Sequence, residues 1–254
     1  MGDVLYERGN NDDALHYYEQ ATAFDPSARG YRGQGNVFAA NGEYNRSLPL
    51  FDRSLSLNPS DVDALLGKGL ALAALGNSSL AIKCFQEIVS VNPGDYAAWS
   101  NLGSMQASIG RYDEAAESLK KACRADSSHE DVWYNLGQVY YSLGRYSQSA
   151  DAFRNATRLN SSDAAAWMEL GLAQNQSGKL DEALQSFENA SLLQPQNIGA
   201  QYDKGLTLVA QNRYQEALRA FERVLVMDAE NSNALYAINL TESRLSETSP
   251  NRGA

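Results

Sequence analysis

The residue types that most often carry out chemistry in proteins are few and scattered in this sequence. There are two cysteines, Cys84 and Cys123, and two histidines, His16 and His129. A metal centre or an activated thiol needs such residues at short, recurring spacings, and no cysteine lies at helical spacing from a histidine. We therefore expect no catalytic residue, no metal and no cofactor, and we predict that the chain is not an enzyme.

Neighbouring carboxylates are the other candidates for acid–base chemistry. Asp113 and Glu114 form one such pair, and Asp181 and Glu182 form another. Each pair lies where a helix is predicted to begin, and negative charge interacts favourably with the helix dipole at that end. These pairs therefore indicate helix starts rather than a reaction centre.

The net charge of −10 over 254 residues restricts the partners. Nucleic acid and anionic membrane surfaces require clustered Lys and Arg, so we expect no nucleic-acid binding. No apolar stretch approaches the length that spans a bilayer, and the N-terminus carries no apolar signal segment. We therefore expect no membrane insertion and a cytoplasmic location, while secretion or membership of a larger chain stays an open alternative.

Small residues recur along the chain with a constant period. One series of glycines has a spacing of 34 residues, and a second series follows it by seven residues. The first series is Gly35, Gly69, Gly103, Gly137, Gly171 and Gly205, and the second is Gly42, Gly76, Gly110, Gly144 and Gly178. Self-similarity at this period is the signature of a solenoid, which offers a long surface rather than a built-in reaction centre.

Each period predicts two antiparallel helices joined by a short turn. In residues 164–197, Trp167, Leu170 and Gln174 recur at helical spacing, Gly178 interrupts the pattern and Pro195 ends the unit. The second helices are expected to begin at a shared position occupied by good N-cap residues. Those residues are Asp12, Asn45, Ser79, Asp113, Ser147 and Asp181.

The first glycine series lies inside the first helices, where each glycine costs about 1 kcal/mol relative to alanine. We expect close packing between the two helices of a unit to offset this cost. Gly171 would then contact Ala183, and Gly137 would contact Ser149, on the second helix. Any larger side chain at the glycine would push the helices apart.

The Trp-x-x-Leu-Gly pattern, the Ala–Phe–Ala series and the terminal proline together resemble the tetratricopeptide repeat (TPR) family. The first pattern occurs at Trp99–Gly103, Trp133–Gly137 and Trp167–Gly171. The resemblance covers residues 1–247. It implies an all-α fold, a right-handed α-solenoid (superhelix) of antiparallel helix pairs in 34-residue units.

We expect a single TPR solenoid over residues 1–247 and a disordered tail over 248–254. A truncated first repeat, 1–27, precedes six full repeats, and a C-terminal capping helix occupies 232–247. The full repeats are 28–61, 62–95, 96–129, 130–163, 164–197 and 198–231. In the capping helix, Leu235, Ile238 and Leu245 are expected to cover the last repeat with their apolar side chains.

The resemblance implies that the first helices line a concave groove. Asn101 and Asn135 share one groove position in adjacent units, where a carboxamide can pair with the backbone of an extended peptide. The positions around Asn135 form an apolar, aromatic run with few charges, which suits an apolar peptide or an amphipathic helix. The predicted peptide-binding residues are Asn101, Tyr134, Asn135, Gln138, Tyr141, Met168, Leu172 and Tyr202. The alternative is that a neighbouring TPR helix, or a C-terminal helix, packs into this groove.

A chaperone-type carboxylate clamp, which holds the C-terminal carboxylate of a peptide, is not favoured. Arg32 and Asn36 match two clamp positions, but Gly67 and Ala97 stand where the clamp requires Asn and Lys.

The leading interpretation is a non-enzymatic protein–protein interaction scaffold that binds a peptide or helix of a partner protein in the groove. Two alternatives stay open. The chain can be the TPR accessory segment of a larger enzyme, a glycosyltransferase or a kinase, whose catalytic domain lies outside these residues. It can also be a self-associating structural module, a homo-oligomer joined through the groove or the ends.

Overall fold

The computed structural model describes residues 1–248, and within that range the chain is built from α-helices joined by short turns, without a β-strand. Within each of the two compact units described below, consecutive helices pack on one another. This confirms the predicted all-α class and the helix pairs. The disordered tail predicted at 248–254 lies outside the described residues, apart from Thr248, which ends the last helix. The helices fall into two compact units, of which the second begins at Ser128.

The first unit, Met1–Ser127, contains eight helices. They are α1 Gly2–Glu7, α2 Asn11–Phe24, α3 Ala28–Ala40, α4 Tyr44–Leu57, α5 Val62–Ala74, α6 Ser78–Val91, α7 Tyr96–Ser108 and α8 Tyr112–Ala125. Helices α3 and α4, α5 and α6, and α7 and α8 form tightly packed pairs, and each pair packs on the next.

The second unit contains seven helices between residues 128 and 248. They are α9 Glu130–Ser142, α10 Tyr146–Leu159, α11 Ala164–Gln176, α12 Leu180–Leu193, α13 Ile198–Ala210, α14 Tyr214–Met227 and α15 Ser232–Thr248. The pairs α9–α10, α11–α12 and α13–α14 repeat the arrangement of the first unit, and α15 packs on α14. That the whole chain acts as one domain with these repeat boundaries stays a prediction.

The second glycine series closes the turns inside the helix pairs. Gly178 has a φ of +80°, a backbone conformation that favours glycine. Its N–H donates to Asn175 O over 3.0 Å, and the next N–H, of Lys179, donates to Gln174 O over 2.8 Å. These two bonds form a Schellman motif, which satisfies carbonyls at the end of α11. Asn212 occupies the equivalent position after α13 with a φ of +58°.

The first glycine series allows close packing, and a phenylalanine ring of the second helix fills the space beside each glycine except Gly103, which faces Leu119. A Cβ atom on Gly171 would lie 2.6 Å from Phe187 Cε1. The atoms nearest to that position therefore belong to Phe187, while in the α7–α8 pair a Cβ atom on Gly103 would lie 3.2 Å from the backbone oxygen of Ala115, as predicted. The close approach itself is confirmed in the neighbouring pair, where Ser149 Oγ donates to Gly137 O over 2.8 Å.

The predicted N-caps of the second helices are wrong. Helix α12 begins at Leu180 with Lys179 as its N-cap, so Asp181 lies within the first turn. Only Lys179, whose φ of −86° and ψ of 63° are not helical, separates the turn glycine from α12, so the helix begins before Asp181 is reached. Side-chain caps occur on most first helices, as where Asp163 accepts a hydrogen bond from Ala165 N at 2.8 Å, and on α2, where Asn10 accepts one from Asp13 N. Ser27, Asp61, Asp95 and Asn197 cap their helices in a similar way.

The last helix covers its neighbour with small residues. Ala234, Ala237 and Thr241 are buried, at a helical spacing that places them on one face. Ile238 packs beside them against the cluster that contains Phe221. Leu235 lies one residue away from Ala234 around the helix and is 44% exposed, so the prediction that it covers the last repeat is wrong.

Candidate functional site

Seven of the eight predicted peptide-binding residues lie in the second unit, on the first helices of its pairs. Tyr134, Asn135, Gln138 and Tyr141 belong to α9, Met168 and Leu172 to α11, and Tyr202 to α13. Helix α11 contacts both α9 and α13. We call the surface formed by Tyr134, Tyr141, Met168, Leu172 and Tyr202 the tyrosine surface.

Two tyrosines of this surface rest on buried phenylalanines of their own helix pairs. Tyr134 lies edge-on to Phe153, with ring centroids 5.4 Å apart. Tyr202 occupies the same repeat position and lies 5.7 Å from Phe221. Both phenylalanines are fully buried, whereas both tyrosines are half-buried. The two tyrosine rings are therefore held in place by the phenylalanines and remain partly accessible to solvent. This arrangement is typical of residues that anchor a ligand.

The remaining members connect the three helices. Tyr141 packs against the cluster of buried residues shared by α10 and α11, and its ring lies 5.2 Å from that of Tyr146. Met168 reaches across to α13, where its Cε lies 3.4 Å from the position of a Cβ atom on Gly199. Leu172 is half-buried on α11. Gln138 is exposed, and its side chain hydrogen-bonds the hydroxyl group of Tyr134.

Two carboxylates lie on the helices of the tyrosine surface. Glu169 and Asp203 are half-buried on α11 and α13. They replace asparagine at the repeat position of Asn135, because they follow it at the 34-residue spacing. Burial raises the pKa of Glu169 and raises the pKa of Asp203 to about 6.

The charges of these carboxylates act on the tyrosines. Burial is the main cause that raises the pKa of Tyr134, and the charge of Glu169 adds to it. The pKa of Tyr141 is raised by burial first, then by Tyr146, Glu169 and Asp203. Nearby negative charge disfavours the tyrosinate form, which explains the direction of these shifts.

A second acidic pair lies at the beginning of α9. Burial raises the pKa of Glu130, and a hydrogen bond with the neighbouring carboxyl group of Asp163 raises it further. Two carboxyl groups at hydrogen-bonding distance cannot both ionise easily. The charge of Glu130 also adds to the increase in the pKa of Tyr134.

That Asn101 and Asn135 together pair with the backbone of a bound peptide stays a prediction. Asn101 lies on α7 in the first unit and Asn135 on α9 in the second, and each is partly exposed within its own unit. Each carboxamide can therefore be reached by a peptide backbone from solvent.

Arg32, the basic residue of the disfavoured carboxylate clamp, is held by neighbouring acidic residues. Its Nη1 lies 2.8 Å from Asp61 Oδ1 and 3.1 Å from Asp63 Oδ2. Because its guanidinium group already pairs with two carboxylates, Arg32 is poorly available to bind the C-terminal carboxylate of a peptide. This agrees with the prediction from the sequence.

The described part of the chain contains neither a membrane-spanning helix nor a metal-binding cluster. Between residues 1 and 248, no helix combines the length and the apolar character that crossing a membrane requires. Over the same range, no three His, Cys, Asp or Glu side chains lie together as a metal-binding group.

Packed helix pairs with a 34-residue period, turn glycines and ring-supported interior glycines define a TPR protein. Residues 1–237 match the family model described as the C-terminal domain of cilia and flagella-associated protein 70. The chain belongs to this family.

Solved structures of TPR proteins share the fold. The C-terminal part of a TPR repeat-containing protein from Cytophaga hutchinsonii is 19% identical, with a TM-score of 0.78 and coverage of 93% of this chain and 98% of that one. YrrB, described as a TPR protein with an unusual peptide-binding site, is 23% identical, with a TM-score of 0.69 and coverage of 74% and 97%. MamA is 26% identical, with a TM-score of 0.60 and coverage of 65% and 96%. The comparison with curated proteins gives no match.

Proposed function

We propose that this chain is a non-enzymatic scaffold that binds a peptide or helix of a partner protein on the first helices of its repeats. In the second unit the binding site is the tyrosine surface together with Asn135 and Gln138. In the first unit Asn101 contributes to the same kind of contact. A cytoplasmic location is part of this proposal.

The observation that carries the proposal is the support of Tyr134 and Tyr202 by buried phenylalanines. A ring fixed by its own core loses little conformational entropy when a ligand covers it. Met168 and Leu172 lie between the two tyrosine positions and provide apolar contacts, and a methionine side chain adapts to different partners. The TPR fold and the peptide-binding site described for YrrB support the same interpretation.

Selection from a library of short random peptides tests this proposal without knowledge of the natural partner. The purified chain is used to enrich peptides, and the affinity of the best ones is then measured for the wild type and for Tyr141→Ala. We expect the variant to keep its fold and to lose about tenfold or more in affinity, because a central aromatic contact is worth about 2 kcal/mol.

Tyr236→Ala is the matched control, because Tyr236 lies on α15 and is 70% exposed. It should bind as the wild type does. Peptides that bind the wild type and Tyr141→Ala equally would contradict the proposed surface. Light scattering on the same samples addresses self-association, since a mass that rises with concentration would favour the homo-oligomer alternative.

A further inference from the structure

The charges on the helices of the tyrosine surface are unbalanced. Helices α9 and α11 contain no lysine or arginine, and Lys204 is the basic residue of α13. Lys204 Nζ lies 2.6 Å from Glu188 Oε2 on the neighbouring α12. The lysine is therefore already paired with a carboxylate outside the tyrosine surface. The acidic residues on the same three helices are Glu130, Asp131, Glu169 and Asp203.

Glu169 and Asp203 are half-buried. Within the part of the chain that the structure describes, neither carboxylate makes an ion pair or a side-chain hydrogen bond. A half-buried carboxylate without a partner loses hydration and gains nothing in return. A cation placed beside it offsets that loss, which makes the pair a favourable position for positive charge.

The surrounding side chains favour an organic cation with an apolar stem. Tyr141 lies close enough to both carboxylates for their charges to act on its hydroxyl group. Aromatic faces attract ammonium and guanidinium groups. The methylene groups of a lysine or arginine side chain pack well on apolar neighbours such as Met168 and Leu172.

We propose that the tyrosine surface binds a partner segment that carries a lysine or arginine, whose charged group lies between Glu169 and Asp203. The inference rests on the proposed function, since it names the chemistry of the partner that binds there. A segment with acidic or C-terminal carboxylate groups at this point would be repelled. The positive charge decides which peptides bind, and the aromatic contacts provide the general affinity.

The test uses the best peptide from the random library and versions of it that differ at one position. Lysine, arginine, norleucine and glutamate are placed in turn at the position where the selected sequences agree most. We expect the lysine and arginine versions to bind at least about tenfold more tightly than the norleucine version, as one compensated charge contributes about 1.4 kcal/mol. The glutamate version should bind most weakly.

The double variant Glu169→Gln, Asp203→Asn should remove this preference while it keeps the fold, because both changes delete buried charge and preserve shape. The matched control is Asp151→Asn, Glu222→Gln. It removes the same charge from exposed positions on α10 and α14, and it should keep the full preference.

Three outcomes are distinguishable. A preference for lysine or arginine that disappears in the double variant and persists in the control supports the inference. Peptides that bind without this preference, but are lost in Tyr141→Ala, would overturn the inference and leave the proposed function intact. No selected peptide, or binding that none of the variants changes, would contradict both.

Discussion

At the scale of one residue, Asp203 shows what the partial burial of a charge does to stability. Its carboxyl group is half-buried, and burial alone raises its pKa to about 6, from an ordinary value of 3.8. The folded protein therefore holds a proton on Asp203 more readily than the unfolded chain does. Stability falls as the pH rises through this window, and the whole penalty is present above about pH 6.

Asp203→Asn should therefore stabilise the free protein at pH 7. We expect an increase in the free energy of unfolding of roughly 1–2 kcal/mol, after allowance for partial exposure to solvent. The gain should become smaller as the pH is lowered from 7 towards 4, because Asp203 then becomes neutral in the wild type as well.

Urea denaturation of both proteins at pH 7 and pH 4.5 measures this effect. Asp151→Asn is the control, since the Asp151 carboxylate is exposed and paired with Arg154 at 2.6 Å. An equal gain at both pH values would show that the charge of Asp203 is not the cause.

Gly137 gives a second prediction at the residue scale. A Cβ atom there would lie 2.8 Å from the ring of Phe153, which is fully buried and cannot move aside easily. Gly137→Leu should lower the free energy of unfolding by at least about 1–3 kcal/mol. Gly94→Leu is the control, because a Cβ atom on Gly94 would meet only Asn92 Oδ1, at 3.6 Å. Melting curves in which both variants lose the same stability would contradict this packing account.

At the scale of the helix pair, the turn between the two helices has its own backbone requirement, which is distinct from the packing of the helices. Gly178 and Asn212 have positive φ values of 80° and 58° at equivalent positions after α11 and α13. A residue with a side chain is strained in this conformation, and asparagine is strained least. The turn is therefore a local feature, and its energetics can be changed without altering the surface of the first helices.

Gly178→Ala should destabilise the protein by about 1 kcal/mol, since alanine in the left-handed conformation costs about 1–2 kcal/mol. Asn212→Gly, the reverse change at the equivalent turn, should cost less, because glycine relieves the positive φ although it removes the hydrogen bond that the Tyr214 hydroxyl donates to Asn212 Oδ1 over 2.7 Å. Urea denaturation checks both. A loss of stability in Asn212→Gly as large as that in Gly178→Ala would show that the two turns are not equivalent.

The helix pairs themselves were predictable because their period is fixed by contacts within each unit. Interior glycines face buried rings such as Phe187, and turn glycines such as Gly178 end the first helices. The starts of the second helices were not predictable from N-cap residue types. The Schellman motif places Lys179, a poor cap, at the position that a capping residue would otherwise occupy.

At the scale of the whole molecule, the sequence predicted a binding surface but not which of its charges are paired. The aromatic positions follow from the repeat, because Tyr134 and Tyr202 share one place in it. Whether Glu169 and Asp203 form ion pairs depends on which carboxylate each neighbouring basic side chain contacts in the folded protein. Lys204 lies next to Asp203 in sequence, yet it pairs with Glu188 on α12. Spacing alone does not show that choice of partner.

The acidic character of the chain adds a prediction about binding in salt. With a net charge of −10, attraction of a basic peptide acts over a distance of about 8–10 Å at ordinary ionic strength. We expect the affinity for the lysine peptide to fall as salt is raised, mainly through a slower association rate. The norleucine peptide should change much less, and equal salt dependence of the two would contradict the electrostatic account.

Hydroxyl-radical footprinting of the chain with and without its tightest selected peptide tests the central claim most directly. It reports which methionine and aromatic side chains a ligand covers. Our account predicts that Met168, Tyr141 and Tyr202 become protected, while Tyr112 on α8 and Tyr236 on α15, which are both exposed, keep their reactivity. Protection at Tyr112 or Tyr236, with Met168 and Tyr141 unchanged, would contradict the account and place the binding site elsewhere.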